Sequence, residues 1–111
     1  MANDIKLDYI HSLVQDEDMV KDLLSTFYED GPKDFAILEK AIEDEDYEQA
    51  RIYSHKLKSS LAVFKVEPLR SSCEQIEMKC KSKEGFDTIG NEVNGIKDDM
   101  SDLFDRLKSM L

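Results

Sequence analysis

YEQARIYSHKLKSSLAVF, residues 47–64, places its apolar and small side chains at Tyr47, Ala50, Ser54, Leu57, Leu61 and Phe64. Steps of 3, 4, 3, 4 and 3 follow the helical period, and no strand alternation fits them. The spacing predicts a helix over about 46–64 with one buried stripe. His55 lies one residue off that stripe, about 100° round the helix from Ser54. Arg51 and Ser59 stand four residues to either side and Lys58 three beyond, so all three share its face. An imidazole at the edge of a buried stripe, beside cations and small hydroxyl residues, is the strongest chemical signal in the chain.

The same period extends outward in both directions. Residues 4–15 read as a short helix carrying Tyr9, Ile10, Leu13 and Val14, too short to stand alone. Its His11 has no cluster beside it and reads as a functionless, partly exposed residue. Asp16 is a plausible N-cap for a helix over about 17–43. Val20, Leu23, Leu24, Phe27, Gly31, Phe35, Leu38, Ala41 and Ile42 hold one phase there, across Gly31-Pro32, which predicts a kinked helix rather than two. After the central helix, Pro68 fits the first turn of a helix bearing Val66, Leu69, Cys73, Ile76 and Cys80. A last helix carries Phe86, Ile89, Val93, Ile96, Met100, Leu103 and Leu107, weakened at its start by Gly90 and Gly95. Four such stripes joined by short polar turns predict an all-α fold. It is an antiparallel up-down-up-down four-helix bundle with a short extra N-terminal helix.

A length of 111 residues suits a single domain over 1–111. At this size about two-thirds of the unfolded surface can be buried without metal or disulfide staples. Cys73 and Cys80 stand seven apart on one predicted helix, about 10 Å along its axis, too far for a disulfide. Both read as small core residues. No apolar run reaches the length of a membrane span, and MANDIKLD lacks the order of a signal peptide, so a cytoplasmic location is expected. The net charge of −10 argues against nucleic acid and anionic membrane surfaces as partners. It is unevenly placed: residues 1–50 carry net −11, residues 51–83 net +5 and residues 84–111 net −4. The single basic stretch contains His55. Monomer is the expected state of so small and acidic a bundle.

Several chemistries are set aside. No phosphate-cradling glycine motif is present, so no nucleotide site and no kinase activity of its own are expected. Neither histidine has the spacing of a metal ligand pair, and no metal is expected. A Ser-His-acid triad needs an oxyanion hole that a regular helix does not offer. The many Asp and Glu read as solvating charge. His55 as a nucleophile remains. Neutral imidazole attacks an activated phosphorus without a separate base. A cation such as Lys58 would then balance the phosphoryl oxygens, and Ser59 and Ser60 leave room for a visiting active site.

HKLKSS at 55–60 resembles the H-x-L-K-[GS]-[SA] signature of histidine-containing phosphotransfer (HPt) domains of two-component phosphorelays. The likeness extends over nearly the whole chain, through Leu23 to Phe27, Tyr47 to His55, and Leu69, Cys73, Ile76 and Glu77. The resemblance implies that His55 accepts the phosphoryl group and Lys58 contacts it. Ser59 falls where the family most often has glycine, and Lys65 where a glycine often closes the helix. Glu77 matches a polar position that commonly faces the histidine, with Lys79 and Lys81 extending a basic rim. The resemblance further implies a phosphocarrier that takes phosphate from one receiver aspartate and passes it to another. The partners are then receiver domains of response regulators or hybrid histidine kinases, and magnesium sits in the receiver, with no cofactor in this chain. A docking surface centred on Ala62, with Arg51, Lys56 and Lys65 on its rim, is expected.

Two other readings compete. One is a binding module of the same shape that docks receivers or helices without carrying phosphate; the intact His55 and Lys58 count against it. The other is a phosphohistidine phosphatase. That chemistry needs a carboxylate or amide beside His55 to orient water, and the adjacent helical positions hold Arg, Lys and Ser.

Overall fold

The computed structural model describes residues 2–111. Six helices follow in order: α1 (Leu7–Leu13), α2 (Glu17–Glu43), α3 (Tyr47–Val63), α4 (Leu69–Lys81), α5 (Phe86–Gly95) and α6 (Lys97–Ser109). No strand occurs among the described residues. α2, α3, α4 and the α5–α6 pair form the four legs of the predicted bundle, about 43 × 24 × 20 Å in extent. α3 packs between α2 and α4, while α6 lies against α2 and α5.

Asp16 caps α2 by accepting the Asp18 amide at 2.9 Å, and Asp46 caps α3 by accepting that of Gln49 at 3.1 Å. α2 runs through Pro32 as one helix. Neighbouring Gly31 is needed for packing: a Cβ there would stand 2.7 Å from Cε1 of Phe104, the ring that covers this turn from α6. α2, α3 and α4 end the same way, with a left-handed residue after the last turn (Glu45, Lys65 and Lys83) and a 6→1 bond behind it. For α3 that bond runs from the Val66 amide to the Leu61 carbonyl at 3.0 Å. Lys65 thus holds the left-handed position that the family resemblance gives to glycine, with φ of 50°.

The last leg differs from the single helix expected. It breaks at Ile96, which closes α5 and opens α6 at φ −103° and ψ 0°. The departure from helical geometry is small, so Val93, Ile96 and Met100 still point inward on one stripe. Pro68 stands one position earlier than expected, at the N-cap of α4, where it offers no side-chain acceptor. Asn3 takes that role. Its buried Oδ1 accepts the Leu69 amide at 2.9 Å, strapping the N-terminal segment over the α3–α4 turn.

The stripes meet in one core. Leu38, Leu57, Leu61, Ile76, Ile89, Met100, Leu103 and Leu107 are fully buried. Phe27 stacks on Phe64 at 5.7 Å and takes the edge of Phe104 at 6.3 Å, tying three legs together. Both cysteines are free and buried. Burial pushes the Cys73 thiol up to about 12 and is the main cause of the rise of Cys80 to about 11. Leu57 is fully buried on the core side of α3, opposite His55, and Leu57→Ala is expected to cost about 2–5 kcal/mol. Urea unfolding followed by circular dichroism measures it, and an unchanged midpoint would refute the packing role given to this side chain.

Candidate functional site

Ser54 is drawn into the core, its Oγ donating to the Ala50 carbonyl at 2.7 Å, and burial of Ala50, Ser54, Leu57 and Leu61 sets the rotation of α3. One residue on, His55 is therefore turned outward. Its side chain is 54% exposed, enough for a visiting group to reach the ring. α4 supplies the ring's support. Glu77 projects from the buried side of α4, only 4% exposed, and its Oε2 stands 2.9 Å from Nδ1 of His55. Its Oε1 meets Nζ of Lys58 at 2.7 Å, and Nζ of Lys81 approaches Oε2 at 3.5 Å.

A buried carboxylate needs such partners. Burial alone would push the Glu77 carboxyl up, but the hydrogen bonds and charges of Lys58 and His55 outweigh it and hold the group below its ordinary value. Glu77 is thus an anion at neutral pH and can only accept. The proton of the neutral imidazole then resides on Nδ1, where it donates to Glu77. The lone pair is left on Nε2, at the ring edge away from α4.

Four residues singled out in the sequence therefore meet at one place: His55, Lys58, Glu77 and Lys81. Lys58 is half-buried and already committed to Glu77, where the spacing along α3 alone had set it beside the imidazole. The carboxylate that adjacent positions of α3 do not supply arrives from α4, but on the Nδ1 side, away from the free lone pair. Ser59 is exposed beside the ring. Arg51 lies one turn before His55 on the α4 side, grouped with Lys81 and Lys83. Lys56 turns to the α2 side and rests over the Tyr53 ring at 4.9 Å. Ala62 is exposed two turns further on, about 10 Å along the axis. Lys65 does not belong to this group. It sits past the end of α3, ten residues beyond His55, with its ammonium 4.0 Å over the Tyr9 ring of α1.

Asp30 and Asp34, which the sequence pattern reads as solvating charge, both border the groove in which His55 lies. Their spacing of four on the helix next to α3 was the available signal. Among the described residues no group of three or more His, Cys, Asp or Glu is placed to hold a metal ion. No helix there is long and apolar enough to cross a membrane.

The family model of the Hpt domain matches residues 22–111, which take in most of α2, all of α3 to α6 and every residue of the cluster around His55. The chain belongs to the Hpt domain family. Hpt domains are phosphotransfer modules of two-component signalling, phosphocarriers rather than enzymes, and they interact with receiver domains. Comparison with curated proteins and with solved structures gives no match. The Hpt match begins within α2, so α1 and the Asn3 strap lie outside it.

Proposed function

We propose that this Hpt domain relays phosphate through His55, from the aspartyl phosphate of one receiver to an aspartate of a second. The observation that carries the reading is an exposed imidazole whose Nδ1 is held by a buried carboxylate, leaving Nε2 as the nucleophile. In the first step the Nε2 lone pair attacks phosphorus and an N–P bond forms. The P–O bond to the receiver's aspartate breaks, and that carboxylate leaves with the electron pair. The ring becomes cationic while Nδ1 keeps its proton, and Glu77 stabilises that charge as an acid behind a catalytic histidine does. The second step runs the same exchange toward the next receiver. Magnesium is contributed by the receiver, where it neutralises the phosphoryl oxygens. The domain brings no nucleotide site and no cofactor, and it works in the cytoplasm as a monomer.

Lys58, bound to the same carboxylate as His55, is the cation assigned to the arriving phosphoryl group. An ammonium has three donors, so Lys58 can keep Glu77 and still reach a phosphoryl oxygen. Ser59, small and beside the ring, leaves space for the receiver. The Arg51, Lys56, Lys81 and Ala62 surface docks it, and Lys65 has no part in that docking. Lys58→Ala is expected to slow labelling about tenfold, the size of one charge-assisted hydrogen bond. Initial rates against a phosphorylated receiver measure this, and a rate equal to wild type removes Lys58 from the mechanism.

The reading as a whole is tested by presenting the domain with every phosphorylated receiver of its source. Transfer is expected from at least one, leaving acid-labile, alkali-stable phosphate as a phosphoramidate requires. Tight binding of receivers without any transfer would instead support a docking module that carries no phosphate.

A further inference from the structure

The two flanks of His55 carry opposite charge. On the α2 flank, Asp30 and Asp34 border the groove together with Ser59, Ser60 and Lys56. Among the described residues lining it, Lys56 is the one lysine or arginine. Asp30 and Ser60 also line an apolar groove that runs on past Leu23 and Val63, with Asp22 on its rim. Asp34 is half-buried, and burial pushes its carboxyl up, with Asp30 adding to the rise against the pull of Lys56. On the α4 flank the sign reverses. Arg51, Lys81 and Lys83 border a groove shared with Tyr47 and Cys80, in which Glu48 is the one acid among the described lining residues. The turn bearing Lys83 is anchored there, because its carbonyl and that of Glu84 accept the Tyr47 hydroxyl at 3.2 and 2.6 Å.

We propose that these grooves act together as a two-signed docking surface for a receiver domain. The receiver that fits presents acidic side chains toward Arg51, Lys81 and Lys83 and basic side chains toward Asp30 and Asp34. This rests on the relay reading above and adds to it the partner's charge pattern and its orientation. Phosphoryl transfer demands that the leaving oxygen, phosphorus and Nε2 fall in line, so rotation of the partner about His55 must be fixed. A surface of one sign attracts a partner without orienting it. Opposite signs on the two flanks penalise the reversed pose twice, by like charge on each side. The same pattern discriminates among receivers that share an active site and differ at their rims.

The test measures kcat/KM for transfer from each phosphorylated receiver to four proteins: wild type, Arg51→Glu/Lys83→Glu, Asp30→Lys/Asp34→Lys, and Asp98→Lys/Asp102→Lys. The last pair lies exposed on α6, away from α3. Each groove variant is expected to lose about tenfold with the best wild-type receiver and to reorder the receivers, while the α6 variant stays within about twofold. Salt near 1 M is expected to shrink the differences among receivers. Groove variants that keep the wild-type rates and ranking overturn the proposal. So does an equal loss in the α6 variant, which would make net charge the cause. Should the Asp30/Asp34 pair disturb the fold by circular dichroism, Asp30→Lys alone, at an exposed position, asks the same question. Wild-type protein that takes phosphate from no receiver overturns the relay reading itself, an outcome distinct from either of these.

Discussion

His55→Gln is expected to reduce phosphate uptake to background while leaving the fold intact. The amide nitrogen of glutamine has its lone pair delocalised into the carbonyl and does not attack phosphorus, so the loss is complete rather than partial. Structure gives two reasons for the fold to survive. The side chain is 54% exposed, so little packing depends on it. Glutamine also keeps an N–H donor within reach of Glu77, so the buried carboxylate is not left short of a partner, the circumstance that makes such deletions costly. The measurement pairs labelling from a phosphorylated receiver with a thermal melt. Uptake at the wild-type rate would move the acceptor to another residue.

Glu77→Gln is expected to have the next largest effect, about a 10- to 100-fold loss in transfer rate, as when the acceptor that orients a working histidine is removed. An amide both donates and accepts, so it no longer restricts the imidazole proton to Nδ1. The Nε2 lone pair is then present in only part of the population, and the cationic ring of the intermediate loses its anion. Nitrogen chemical shifts of the imidazole report this directly: the wild type should show one tautomer and the variant a mixture. A purely structural role for Glu77 would leave those shifts unchanged. Stability supplies a second readout. A carboxyl held below its ordinary value in the folded state contributes stability above the unfolded value of about 4.3. That contribution disappears as pH falls through the folded value. The stability gap between wild type and Glu77→Gln should therefore be fully open at neutral pH and close on the acid side.

The bundle was legible because burial imposes a period. The stripes read at steps of three and four, from Val20 in α2 to Leu107 in α6, are buried where the spacing placed them except at Leu23, which is exposed, and at Ile42, Tyr47 and Phe86, which are half-buried at the ends of their stripes. The break at Ile96 was not legible for the same reason. A residue near φ −103° and ψ 0° interrupts hydrogen bonding without turning the stripe, so the pattern carries straight through. Gly95, weak as a helix former, was its one trace. The end of α3 shows a different limit. A lysine at a left-handed position violates the preference for glycine, and its partner is tertiary: its ammonium rests on Tyr9, in a helix far earlier in the chain. The site divides in the same way. The face of α3 with His55, Lys58 and Arg51 follows from helical spacing. The carboxylate that fixes the imidazole comes from α4, and the acids on the opposite flank come from α2. Both depend on how α3 is rotated between its neighbours, which the buried stripe of Ala50, Ser54, Leu57 and Leu61 determines.

The two core thiols have a practical consequence. With values near 12 and 11, Cys73 and Cys80 are almost wholly protonated at neutral pH, and their sulfurs are shielded. Maleimides and similar reagents attack thiolates in the open. A cysteine introduced on the outer surface of α6 would then be the only site such a dye modifies. Fluorescent tracking of receiver encounters becomes possible on the otherwise native chain, with no need to delete the thiols that fill its interior.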